Sequence, residues 1–333
     1  MMSAIVSNAI TPKIAAKPWA REWITVGLIA FLCVSISILN PAFLQVQTLF
    51  DLARAITVPG IFALSVFIVL AAGGIDVSFT AVGAAALYIT TTVFLSVAPQ
   101  APFFVAILTA GVIGGSLGLI NGYLVDSFKA PSLIVTIGTQ YLFRGALLAF
   151  IGSKWINDLP TSINQFGKSN IVTFKSEAGI LTSLPVAVLA LVIASLLTWY
   201  ILNKTLMGRA VFAAGGNLLI TERLGFNVRR IHLFVFGYAG VLAGIGGLIH
   251  CAATRIANPF DLVGTELDVI AAVVLGGASI EGGRGSVIGM LLGTVLVTLI
   301  KTNLILIGVP STWQKVVVGM IVLIASGIFA RRK

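Results

Sequence analysis

The feature that most constrains this chain is a succession of apolar runs, each close to the length that a helix needs to cross a bilayer. Such a helix takes about 20 mostly apolar residues, since each residue advances it about 1.5 Å through a hydrocarbon core about 30 Å thick. Runs of this kind lie at 22–40, 55–73, 76–97, 102–125, 130–152, 183–203, 232–254, 266–280, 287–307 and 315–330. The expected fold is therefore all-α, a polytopic transmembrane bundle of about ten spans. Composition agrees: 58% of the 333 residues are hydrophobic and only 10% are charged, whereas a soluble domain needs about 25% charge to cover its surface. Pro59 and Gly60 are expected to interrupt the second span, and the eighth is short and ends on Gly276 and Gly277. Broken or short spans often line a pathway, because unwound backbone at membrane depth is tolerated only against protein or water.

The basic residues orient the bundle. With the amino terminus inside and ten crossings, 13 of the 21 Lys and Arg residues fall on cytoplasmic segments, the excess that positive-inside topology requires. Residues 1–21 then form a cytoplasmic amino-terminal segment, 22–330 the membrane domain, and 331–333 a cytoplasmic basic tail. No cleavable signal peptide is expected, since the first apolar run is long enough to be an anchor. The net charge of +10 does not indicate nucleic acid, because no basic stripe interleaved with aromatics appears. Two segments stand outside the spans: a polar external one at 153–182, and a mixed polar–apolar cytoplasmic loop at 204–231. A loop with amphipathic content of its own suits docking to a partner.

Catalytic and metal motifs are missing. Gly167-Lys168-Ser169 imitates the end of a phosphate-binding loop, but Ser162 stands where the leading glycine belongs. Cys33 and Cys251 lie in apolar runs without metal spacing, and His232 and His250 read as span-end side chains rather than ligands. No cofactor or metal is expected on this chain. Gly114, Gly118 and Gly122 recur every fourth residue, as do Gly285, Gly289 and Gly293, with Gly240 and Gly244 a shorter case. That spacing lets helix backbones approach closely. The pairs Gly73-Gly74 and Gly276-Gly277 each close an inward-running span, a hint of a duplicated half.

Charge within spans is costly and usually functional. Asp76, Glu266 and Asp268 are expected near span ends within reach of water, Lys301 to snorkel, and Arg144 to lie deepest, paired with an acid or a helix end. Uncharged polar residues are the other candidates. Together with Asp76, the residues Ser78, Asn121, Thr136, Gln140 and Asn303 suit either a path for a hydroxylated solute or hydrogen bonds between helices.

From LAAGGIDVS (Leu70 to Ser78) onward the chain resembles the monosaccharide-type, ribose-permease family of bacterial ABC importers. The likeness continues through GLINGYLV (Gly118 to Val125), APSLIVTIGTQYLFRG (Ala130 to Gly145), GRAVFAAGGN (Gly208 to Asn217) and GTELDVIAAVVLGGASIEGGRGSVIGMLLG (Gly264 to Gly293), with Asn303 and Gln314 also fitting. The resemblance implies an inner-membrane permease, present as an identical pair or with a paralogue. It also implies two ABC ATPase subunits that hold ATP and Mg, and a periplasmic binding protein that delivers a sugar or polyol. It places a coupling helix near Ala213 to Gly225, with Arg209, Ala213, Gly215, Gly216, Asn217, Glu222, Arg223 and Gly225 as the ATPase-coupling residues. The residues agree, because Gly215-Gly216-Asn217 forms a turn and cap before the helix-compatible LLITERL and Gly225. The chain departs from the family at Ile220-Thr221 and Leu224-Gly225-Phe226, which bears on ATPase docking. It departs again at Phe79-Thr80, which bears on the pathway. Three rival functions remain: an ion-coupled carrier of a polar solute, a membrane scaffold or receptor without transport, and an ABC permease for branched-chain amino acids.

Overall fold

A computed structural model describes residues 20–175 and 181–306, with isolated positions 310, 313, 316, 319 and 320. The amino-terminal segment before residue 20, most of the expected tenth span and the basic tail at 331–333 lie outside the described residues. The helices are α1 (Ala20–Leu39), α2 (Val46–Ala71), α3 (Phe79–Val97), α4 (Phe103–Phe128), α5 (Ser132–Ala146), α6 (Thr161–Lys168), α7 (Ala187–Lys204), α8 (Leu206–Gly216), α9 (Leu218–Arg223), α10 (Val228–Thr254), α11 (Glu266–Leu275) and α12 (Val287–Leu306). A π turn at Leu147–Ile151 extends α5. Among the described residues six helices are long and apolar enough to cross a membrane: α2, α3, α4, α5 with its extension, α7 and α10. Shorter apolar stretches lie in α1 and α12. The chain is thus a largely helical, multi-span bundle. The expected eighth span is a ten-residue helix, α11.

Two expectations need correction. The second span is not interrupted: α2 begins nine residues before the expected start and runs unbroken through Pro59. Proline removes one intrahelical hydrogen bond, and a membrane-type helix packed by neighbours absorbs that loss. Nor is the chain entirely α-helical. Asn170–Lys175 (β1) and Leu181–Pro185 (β2) pair antiparallel in the 153–182 region. The run Ile171-Val172-Thr173-Phe174 is β-branched and aromatic, which favours a pleated strand over a helix. An isolated bridge between Ile156 and Ala257 ties the same region to the segment leading into α11.

Glycine decides the packing. A Cβ on Gly114 would lie 2.2 Å from the carbonyl oxygen of Gly240, and one on Gly118 2.2 Å from that of Phe236. The α4 and α10 backbones therefore touch, as the small-residue spacing predicts for helices that gain nothing from apolar burial in lipid. Gly289 and Gly293 play the same part between α12 and α11, against Gly276 and Ala272. Gly285 does not belong to that series: it lies before α12 at φ +144° and makes room for the Phe67 ring. The second half of α2, from Gly60 to Ala71, is buried on every side.

Both α2 and α11 end in the same turn. The Gly74 N–H donates to the Val69 carbonyl at 2.9 Å and Gly73 N–H to Leu70, while Ala278 N–H donates to Val273 at 3.3 Å and Gly277 N–H to Val274. This 6→1 and 5→2 pattern needs a left-handed residue at its hinge, supplied by Gly73 at φ +84° and Gly277 at φ +95°. The two ends therefore correspond with Gly73 on Gly277, one residue away from a match of the two glycine pairs. Gly276 stands where α2 has Ala72, and α12 leaves it no room for a side chain.

A candidate solute site at a broken span

Between the turn at Gly73 and the start of α3, residues Ile75 to Ser78 run as non-helical backbone inside the bundle, and their polar groups need partners. Much of the supply comes from α5. Ser132 Oγ accepts the Ile75 N–H at 2.8 Å, while Thr136 Oγ1 accepts Val77 N–H at 3.3 Å and donates to the Ile75 carbonyl at 3.2 Å. Ser132, Thr136 and Gln140 are four residues apart, about 6 Å of rise per step, so one stripe of α5 accompanies the break.

Asp76 is only 4% exposed, so the expectation of water access at a span end is corrected. Its Oδ1 accepts both the backbone N–H and the hydroxyl of Ser78 at 2.7 Å. Asn121 on α4 donates from Nδ2 to Ser78 Oγ at 2.7 Å, and among the described residues its buried Oδ1 has no hydrogen-bond partner. One step further along α5, Gln140 Nε2 donates to Glu266 Oε1 at 2.9 Å, and Thr80 Oγ1 donates to the same oxygen at 2.7 Å. Glu266 sits in the first turn of α11, where the helix dipole favours an anion. Thr80, one of the departures from the family pattern, thus joins α3 to α11.

Of the six pathway candidates the structure brings five together: Asp76, Ser78, Asn121 and Thr136 at the break, and Gln140 through Glu266. Asn303 is elsewhere. It is buried on α12, and its Nδ2 donates to the Leu299 carbonyl one turn back at 2.9 Å. Ser132 was not among the candidates, and Glu266 and Thr80, singled out as a charged span residue and as a departure from the family pattern, were not placed with these six. The four-residue spacing along α5 was the available signal for Ser132, whereas the partners of Glu266 come from two other helices. Lys301 pairs with Asp268 at 2.5 Å and joins α12 to α11. Arg144 is half-buried on α5 and forms no salt bridge among the described residues. His232 lies 3.5 Å from Asp126, and His250 Nε2 lies 2.6 Å from Asp261. Among the described residues no three potential metal ligands come together.

The 204–231 segment folds into α8, α9 and the start of α10. Thr205 caps α8 by accepting the Gly208 N–H at 3.1 Å, and Asn217 Oδ1 caps α9 by accepting the Ile220 N–H at 3.0 Å. Gly225, at φ +86°, closes α9 with the Phe226 N–H donating to the Thr221 carbonyl at 3.3 Å. Arg209, Gly216, Asn217, Glu222, Arg223 and Gly225 are exposed, whereas Ala213 and Gly215 turn half-buried toward the bundle. Leu218, Leu219, Ile220 and Leu224 are also exposed, leaving α9 with an uncovered apolar surface. Beneath α9 a cavity of about 720 Å³ reaches the turn after α2 at Gly73 and Gly74 and the start of α5 at Ser132.

The chain matches, over residues 48–326, the family model described as the permease component of the branched-chain amino acid transport system. It is 34% identical over 296 residues to the ribose import permease protein RbsC of Bacillus subtilis, covering 88% of each chain. The chain belongs to this permease family. The permease is also 30% identical to RbsC of Escherichia coli K12, over 93% of its own length and 94% of the relative. It is 34% identical to the autoinducer 2 import system permease protein LsrC of an Enterobacter species, over 86% of its own length and 79% of the relative. No solved structure matches the permease. Membership makes it a transport component rather than an enzyme, and a multi-pass protein of the bacterial inner membrane.

Proposed function

We propose that the permease moves a sugar or related polyol into the cytoplasm by alternating access, powered by a separate pair of ABC ATPase subunits. The observation that carries this reading is the polar break. Ser78, Thr80, Asn121, Thr136 and Gln140 gather near two carboxylates, the buried Asp76 and the half-buried Glu266, within an apolar bundle. Hydroxyls of a neutral sugar both donate and accept, so they suit such a set without a fixed counter-charge. The relatives named as ribose and autoinducer 2 importers support a hydroxylated solute over a zwitterion.

In this reading ten crossings place both termini and the 204–231 loop in the cytoplasm. The exposed residues of α9, with Arg209, Glu222 and Arg223 beside them, dock into the ATPase. A periplasmic binding protein delivers the solute to the opposite side, and a second permease, identical or paralogous, completes the path. ATP binding draws the docked loops together and opens the break toward the binding protein, and hydrolysis returns it inward.

The test is uptake into proteoliposomes that hold the permease, its ATPase and the binding protein. Labelled ribose, neutral hexoses and polyols would be compared with leucine. ATP-dependent uptake of a neutral sugar that survives collapse of all ion gradients is the expected result. Uptake driven by a gradient without ATP would establish the ion-coupled carrier, and leucine as the accumulated solute would establish the amino-acid permease.

A further inference from the structure

Three backbone segments meet next to the candidate site with no side chain between them. The carbonyl of Ala71, near the end of α2, accepts the N–H of Gly283 from the loop that follows α11, at 3.0 Å. An otherwise orphaned helix-end acceptor is thus satisfied from the loop that follows α11. Gly215, in the last turn of α8, rests on that bond: a Cβ there would lie 2.1 Å from Ala71 O and 2.4 Å from Gly283 N. Gly282 completes the contact, since its Cβ would lie 2.5 Å from Gly73 Cα and 2.7 Å from Gly215 O. Gly73, Gly282 and Gly283 all have left-handed φ, at +84°, +88° and +69°, so each is glycine for its conformation as well as for space.

Side-chain contacts yield by changing rotamer, but close-packed backbone does not, and packed interfaces switch between discrete arrangements rather than deform. We propose that Gly73, Gly215 and Gly282 form a rigid junction through which movement of the α8–α9 tip reaches the turn after α2 and the loop after α11 at once. Gly73 and Gly282 are then positioning residues for transport, three or more residues from any proposed solute contact. The inference rests on α8–α9 being the ATPase dock. It adds that the motion passes through backbone at one point, where the turn after α2 and the loop after α11 are joined. Neither half then moves alone.

The test uses the full permease purified with its ATPase, with Cys33→Ser to silence a half-exposed thiol; Cys251 is buried. Ile75→Cys in the break after α2 and Ser279→Cys in the loop after α11 report, by maleimide labelling, on nucleotide-free and ATP–vanadate states. The starting protein is expected to change its labelling at both positions. Gly73→Ala and Gly282→Ala are expected to keep the ATPase bound yet lose the change at both reporters, with ATP-driven uptake down about tenfold or more. Gly264→Ala separates backbone strain from contact, because Gly264 has φ +80° and a Cβ there meets nothing within 4 Å among the described residues; it should retain both changes. Reporters that respond normally in Gly73→Ala or Gly282→Ala, or that respond to neither state in the starting protein, overturn the junction. If only Gly282→Ala fails to insert, Gly73→Ala decides, since its Cβ approaches Gly215 Cα no closer than 3.2 Å. Absence of ATPase from the starting complex would instead strike the docking reading, and the junction with it.

Discussion

Gly118→Ala should destabilise the bundle although alanine is the better helix former. Its Cβ would sit 2.2 Å from the Phe236 carbonyl oxygen and 3.0 Å from Gly240 Cα. An ordinary close carbon–oxygen contact is about 3.3 Å, so α4 and α10 must separate by about 1 Å at their crossing. Overpacking of this kind costs about 1–3 kcal/mol, a factor of about 5–150 in the ratio of folded to unfolded protein. Gly138→Ala on α5 supplies the opposite case. It is the same chemical change inside a helix, but its Cβ meets nothing within 4 Å among the described residues, so the gain in helix propensity of about 0.5–1 kcal/mol stands alone. Thermal unfolding in detergent can be followed with a maleimide dye that reports Cys251, buried on α10, in a Cys33→Ser background. The expected order of melting temperature is Gly138→Ala at or above the parent and Gly118→Ala clearly below it. A Gly118→Ala protein that melts with the Gly138→Ala protein would show that the two backbones do not touch, and the glycine account of the packing would fail.

Other outcomes follow from the same contacts. Asn217→Ala should weaken α9 by about 1 kcal/mol through loss of its cap and reduce recovery of the ATPase in a pull-down, while Asn217→Ser restores it; equal recovery for all three would separate the cap from docking. Glu266→Ala leaves the Thr80 hydroxyl and the Gln140 amide without their shared acceptor and should lower uptake further than Glu266→Gln, which keeps an oxygen; equal uptake would remove Glu266 from the site. Lys301→Met should cost about 1 kcal/mol, a modest figure because the pair with Asp268 is partly exposed. Adding Asp268→Asn should recover part of that loss in the same dye assay, and a further loss in the double variant would show that the ion pair is not what binds α11 to α12.

Much of this molecule was legible before any coordinates. Apolar runs locate helices because a bilayer tolerates no other way of satisfying an isolated backbone segment. Seven of the runs begin and end within a few residues of the helices that the structure describes. The Asn217 cap and the Gly225 stop of α9 were equally readable, since capping depends on residues three or four apart. Pro59 misled because a proline is a local signal, and its effect was set by the neighbours that enclose α2.

What the sequence determined by itself is the solvent, the class of fold and the local helix ends, all of which depend on residue type and short spacing. Only the tertiary structure decided which polar residues meet. Gln140 and Thr80 reach one oxygen of Glu266 across sequence separations of 126 and 186 residues, while Asn303, polar and buried, turns back on its own helix. Which glycines serve a turn and which a crossing was settled the same way. Gly73, Gly215 and Gly282 come together because three helix ends converge, and convergence depends on packing that no local window contains.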